Sequence, residues 1–211
     1  MKTSTLLNLS VLCLQAVASL IPHHDPLAGR EVTVPEWEVE VTPGGEKVTL
    51  RGTIEEVHAQ LLERNPNWDD DFPEQEEDLA ERDVGDEGFT PIEKRTDFSG
   101  SKYFCYARWP TTALARIVEG ISYLRRVKGK PSLRAGPGRC SRVSCSWNAV
   151  IYWCNDNKST KTLKSFGSIA DGAQFIINRC RRNIGGGIYT SGQVFHKTNW
   201  NVIVRNENSG C

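Results

Sequence analysis

The chain is expected to fold as α+β, with two helices packed on one face of a largely antiparallel sheet stapled by three disulfides. Three observations predict this. Six cysteines fall at residue 105 or beyond. Aromatic and β-branched runs there alternate with two stretches whose apolar residues recur at three- and four-residue spacing. The resulting order is strand, helix, two strands, helix, two strands, which matches a split β-α-β arrangement with helices on one sheet face.

The elements follow from the amino terminus. Residues 1–18 place Lys2 ahead of an apolar stretch from Leu6 to Val17, closed by Ala16-Val17-Ala18. This is the pattern of a secretory signal peptide cut after Ala18. The run is shorter than the roughly 20 apolar residues a spanning helix requires, and no later stretch approaches that length, so no transmembrane segment is expected.

Residues 19–95 carry 21 acidic against 7 basic side chains, about −14, whereas residues 96–211 carry 18 Lys and Arg against 5 acidic residues, about +13. The formal net charge of zero averages two segments of opposite character. In the acidic segment, Glu36-Trp-Glu-Val-Glu-Val41 and Lys47-Val-Thr-Leu50 alternate on both sides of Pro43-Gly44-Gly45, which predicts a hairpin. Thr53-Ile-Glu-Glu56 reads as a capping box, with Val57, Leu61 and Leu62 as the apolar stripe of a helix ending before Asn65-Pro66. Beyond Trp68 the run is acidic and poor in aliphatics and is expected to be disordered. It ends at Lys94-Arg95, where charge sign and cysteine usage change together. The pair reads as a dibasic processing site, making 19–95 an acidic propeptide and 96–211 the mature basic domain.

In residues 96–211, Lys102–Arg108 predicts a strand ending at Trp109-Pro110. Thr111 or Thr112 caps a first helix carrying Leu114, Ile117, Val118, Ile121, Leu124 and Val127. Val143, Cys145 and Trp147 alternate, and Val150–Cys154 is a buried strand after a break at Trp147-Asn148. Ser168-Ile-Ala-Asp171 starts a second helix as a capping-box-like signal, with Gly185 as its stop. Gly192–His196 and Trp200–Arg205 close the chain as strands around Lys197-Thr198-Asn199.

Cys105, Cys140, Cys145, Cys154, Cys180 and Cys211 are even in number in a chain read as secreted, which implies three disulfides; fifteen pairings remain open. No Cys-x2-Cys pair occurs and His196 is the single histidine after residue 95, so neither a metal site nor a cofactor is expected. Asn157-Lys-Ser159 is a glycosylation acceptor in a polar loop.

Catalysis has little to draw on. A ribonuclease-like set of Glu119, His196 and an arginine is the enzymatic alternative, but Glu119 reads as a partner of Arg116 on a helix face and His196 as a turn residue. No Gly-x-Ser-x-Gly elbow occurs. The cations are more informative: Arg125, Arg126, Lys128, Lys130, Arg134, Arg139 and Arg142 fall within eighteen residues. They predict a loop-centred patch for an anionic membrane surface, wall polymer or host protein, with nucleic acid less favoured. Tyr103, Phe104, Tyr106 and Trp109 could stack bases but read better as strand and core residues.

The signal, the Pro35-Glu-Trp-Glu-Val-Glu-Val41 and Gly52-Thr-Ile-Glu-Glu56 segments, Lys94-Arg95, and the stretches Arg142–Asn148, Tyr152–Asn157 and Ile169–Gln174 together resemble fungal small secreted cysteine-rich precursors. More distantly, the strand-helix order and six cysteines are similar to killer-toxin-like and necrosis-inducing extracellular effectors. These resemblances imply a kexin-processed precursor with a ferredoxin-like or killer-toxin-like α/β sandwich. They also imply a secreted, non-enzymatic effector, antimicrobial or toxin-like protein, and the opposed charge of the two segments predicts that its own propeptide neutralises it until cleavage. A structural wall protein is the remaining alternative.

Overall fold

The computed structural model describes Leu27 and residues 30–73, 95–106, 108–208 and 210–211. The leader at 1–18, Lys94 and the acidic run from residue 74 lie outside the described residues.

In the acidic segment, β1 (Val32–Thr33), β2 (Glu36–Glu40) and β3 (Lys47–Arg51) precede α1 (Ile54–Arg64) and α2 (Trp68–Asp71). The expected hairpin is present: β2 and β3 pair antiparallel with Glu36 opposite Arg51 and Glu40 opposite Lys47, unlike charges facing across both ends. The helix start is also as expected, since the Thr53 N–H donates to Glu56 Oε2 at 2.7 Å. The order extends further than the composition implied. Trp68 and Phe72 are buried and stacked with centroids 5.1 Å apart, and burying two large rings outweighs the charge of Asp69–Asp71 between them.

Downstream come β4 (Tyr103–Cys105), β5 (Thr112–Ala113), α3 (Leu114–Arg126), β6 (Ser132–Leu133), β7 (Arg139–Ser146), β8 (Ala149–Asn155), β9 (Lys161–Thr162), α4 (Gly167–Cys180), β10 (Arg181–Ile184), β11 (Gly187–Thr190), β12 (Gly192–His196) and β13 (Trp200–Asn206). The main sheet has the order β1-β7-β8-β13-β12-β4. Its ladders are antiparallel except at one edge, where β1 of the acidic segment runs parallel to β7. The fold is therefore α+β with a largely antiparallel, mixed sheet.

Helices α3 and α4 supply Ile117, Ile121, Leu124, Ile169, Ala173 and Ile176 to a core completed by Ile151, Trp153, Val194, Val202 and Val204 of the sheet. The opposite face is covered too, by Leu27 and Trp109 against Val150, Tyr152 and Ile203. Cover on both sides explains why β8 reads as an unbroken apolar run rather than an alternation. Gly172 lets α4 approach the sheet, because a Cβ there would lie 2.6 Å from Val202 Cγ2 and 3.0 Å from Phe98 Cζ.

The cysteines pair as Cys105–Cys180, Cys140–Cys154 and Cys145–Cys211. The first ties edge strand β4 to the end of α4, the second cross-links β7 to β8, and the third holds the carboxyl terminus.

Four local expectations differ from what forms. Thr112 is no cap: it lies in β5, opposite Thr190, and Ala113 precedes α3. Gly185 does not stop α4, which ends at Cys180; Gly185 and Gly186 have φ of 55° and 85° and turn the hairpin between β10 and β11. Ser168 does not cap α4, since the helix begins at Gly167 with Phe166 at the cap position, and the Asp171 carboxylate accepts from the Thr96 N–H instead of the helix start. Val118 of the expected stripe faces outward, 43% exposed.

Candidate functional site

The seven cations expected to form one loop-centred patch are dispersed by the fold. Arg126 and Arg139 face the acidic segment: Arg126 Nη1 lies 2.7 Å from Asp69 Oδ1, and Arg139 Nη2 lies 2.5 Å from Glu31 Oε2. Arg125 turns inward to Asp171, 3.6 Å away. Lys128, Lys130 and Arg134 are exposed. Arg142 stands opposite Tyr152 in the register, on the sheet face away from α3.

A third carboxylate docks where composition gave no hint of an anion site. Between Arg142 and Ser144 the β7–β8 register shifts at a bulge, and α1 lies against that stretch of strand. Glu55 of α1 accepts there from the Ser144 hydroxyl at 2.5 Å and from the Cys145 N–H at 2.8 Å. Bulges leave backbone groups outside the ladder, so an acidic side chain can take them. Glu31, Glu55 and Asp69 were legible only as general acidity. Their partners needed the three-dimensional contacts.

Ion pairs are the lesser part of this interface. Trp37 is completely buried and stacks on Phe166 with centroids 4.2 Å apart. His58 stacks on Tyr123 of α3 at 4.4 Å and contacts Asp69 Oδ1 at 2.8 Å. Val57, Leu61, Trp68 and Phe72 share one core with Ile117, Ile121 and Leu124. The attraction between the −14 and +13 segments thus acts on top of an apolar seat of fully or nearly fully buried side chains.

Beside the seat is a cleft of about 860 Å³. Lys130, Arg134 and Arg139 line it from the basic domain, Glu31, Glu36 and Glu38 from the acidic segment, and Ser141, Val143 and Trp153 also line it. The Trp153 Nε1 and Ser141 Oγ atoms are buried without a hydrogen-bond partner among the described residues.

Three other cations of the basic segment lie over aromatic rings. Arg182 covers the Tyr106 ring at 4.1 Å, Arg108 the Phe104 ring at 5.3 Å and Arg179 the Phe175 ring at 5.6 Å. Tyr103 and Phe104, expected as core residues, are 42% and 48% exposed because β4 is a sheet edge; Trp109 is buried as expected.

Glu119 pairs with Arg116 at 2.8 Å on α3. His196 packs on Trp200 and Phe98 and its Nδ1 lies 2.9 Å from Thr198 Oγ1 in the β12–β13 turn. Burial, helped by Lys161 and Lys197, holds the His196 pKa below its ordinary value. Its contribution to stability is therefore present above pH 6.5, the ordinary value, and is lost as pH falls below it toward the lowered folded pKa. We expect H196Q to flatten the fall of melting temperature below pH 6.5; an unchanged acid limb would contradict this.

Asn157 Nδ2 donates to Asn155 Oδ1, Thr198 O and Asn199 O at 3.0, 3.2 and 2.8 Å, so a glycan there would displace some of these contacts. Among the described residues no cluster of three or more His, Cys, Asp or Glu is placed to hold a metal, and no helix is long and apolar enough to cross a membrane. Comparison with protein-family models, curated proteins and solved structures finds no match to this chain.

Proposed function

We propose that the chain is the precursor of a secreted cationic binding protein of the effector, antimicrobial or toxin-like kind. Its acidic segment covers part of the face that engages an anionic target, a membrane surface, wall polymer or host protein, until cleavage after Lys94-Arg95. The ferredoxin-like or killer-toxin-like sandwich is the finer architecture we assign to residues 96–211, on the grounds of two helices over an antiparallel sheet and three disulfides.

The observation that supports this reading is the docking of Glu31, Glu55 and Asp69 onto Arg139, the β7 bulge and Arg126. The acidic segment lies on the basic domain as a polyanion would. Its departure would uncover these cations together with Phe166 and Tyr123, leaving a face both charged and apolar, suited to an anionic surface with depth.

The test compares the purified chain blocked at the site by K94Q/R95Q with the chain cut there and freed of its acidic segment. Both are sedimented with phosphatidylserine vesicles and with acidic wall polysaccharide. The cut form should bind roughly tenfold more tightly or better at low salt, since each newly exposed cation is worth ~1 kcal/mol at an anionic surface. Binding should weaken steeply with added salt. Equal binding of the two forms at low salt would refute the proposal.

A further inference from the structure

We infer that Asp171 is a binding site for an α-ammonium group, and that its ligand is the amino terminus created by hydrolysis of the Arg95–Thr96 bond. The inference rests on the processing reading of Lys94-Arg95.

In the uncut chain the Thr96 N–H already donates to Asp171 Oδ2 at 2.7 Å, and the Thr96 hydroxyl lies 2.9 Å from Ser168 Oγ. The Asp171 side chain is 10% exposed and its Oδ1 faces Arg125 at 3.6 Å. Two residues beyond Thr96, Phe98 is buried, its ring edge-on to Trp200 at 5.4 Å and to His196 at 5.3 Å. Thr96–Phe98 is thereby anchored on Ser168, Asp171, His196 and Trp200. Arg95, by contrast, is exposed. The scissile bond joins exposed Arg95 to the Thr96 N–H that Asp171 accepts from.

A dibasic-specific endoprotease adds water across that bond. The water oxygen joins the Arg95 carbonyl carbon, the C–N bond breaks, and the Thr96 nitrogen departs protonated. A neutral amide donor becomes a cation at the same place, and charge-assisted hydrogen bonds are roughly twice as strong as neutral ones. One buried carboxylate then lies between two cations, the new ammonium and the Arg125 guanidinium, with Asp97 exposed beside it. The site is selective for register. A cut one residue away moves the charge by about 3.8 Å, beyond hydrogen-bond reach.

The test uses the full chain, selectively labelled with 15N-threonine, cut in vitro by a dibasic endoprotease and titrated by NMR. The Thr96 α-amine should titrate at least one unit above the roughly 7.7–8.0 of a free terminus. D171N should abolish the shift. A Gly inserted between Arg95 and Thr96 leaves Asp171 intact, and its Gly α-amine, read in a sample labelled with 15N-glycine, should titrate normally, with a lower melting temperature after cutting than the parent. An ordinary α-amine in the cut parent, or no cut at this bond, overturns the inference. Amino-terminal sequencing of the secreted protein reports separately on processing: a terminus other than Thr96 there defeats that reading even if the in vitro amine is shifted.

Discussion

Replacing Trp37 by Ala in the uncut chain is expected to lift the acidic segment off the basic domain while leaving the disulfide-bonded fold intact. The indole is fully buried, stacks on Phe166, and donates from Nε1 to the Gly52 carbonyl at 2.8 Å. Truncating a buried Trp to Ala costs about 3–5 kcal/mol. Here the loss falls at the edge of the shared core where the acidic segment meets it, because Trp37 belongs to the hairpin and Phe166 to the entry of α4. The measurements are limited proteolysis and vesicle binding of W37A in a K94Q/R95Q background. Rapid cleavage within residues 30–73, with vesicle binding rising toward that of the cut form, is the expected result. Protection equal to the parent would mean that the seat does not depend on Trp37.

The second large effect concerns cross-links. C105A/C180A is expected to lower stability more than C140A/C154A, because the first pair spans 75 residues and the second 14. Loop-closure entropy alone gives about 4 kcal/mol for the former and about 3 kcal/mol for the latter. Position widens the difference. Cys140 and Cys154 face each other across the seven-pair β7–β8 ladder, which persists without them, whereas β4 is a three-residue edge strand that, among the described residues, pairs only with β12. Denaturant unfolding of the two variants without reductant checks the order, and an inverted ranking would show that strand pairing already secures β4.

Much of the architecture was readable from local pattern. The hairpin at 36–51, the helix opening at Thr53, the strand at 150–154 and the final pair around Lys197–Asn199 rest on alternation, capping and turn chemistry that nearby residues decide. Misreadings arose where one signal serves two ends: Gly185-Gly186 suits a helix stop as well as a tight hairpin turn, and Ser168–Asp171 suits a cap as well as the interior of a first turn. Placement of Trp68 and Phe72 escaped composition because an acidic run is disordered only if its few aromatics find no seat, and α3 provides one.

The sequence by itself determined the opposed charge of the two segments, the count of cysteines and the longer strands and helices, since these depend on composition and short-range periodicity. It did not determine the short strands β1, β5, β6 and β9, the β10–β11 hairpin or α2. Only the tertiary structure decided which cysteines pair, that Glu31, Glu55 and Asp69 meet Arg139, a β7 bulge and Arg126, and that Thr96 meets Asp171. All of those partners but Cys140 and Cys154 lie dozens of residues apart, and chain separation carries no record of contact until burial of Trp37, Trp68 and Phe98 brings the segments together.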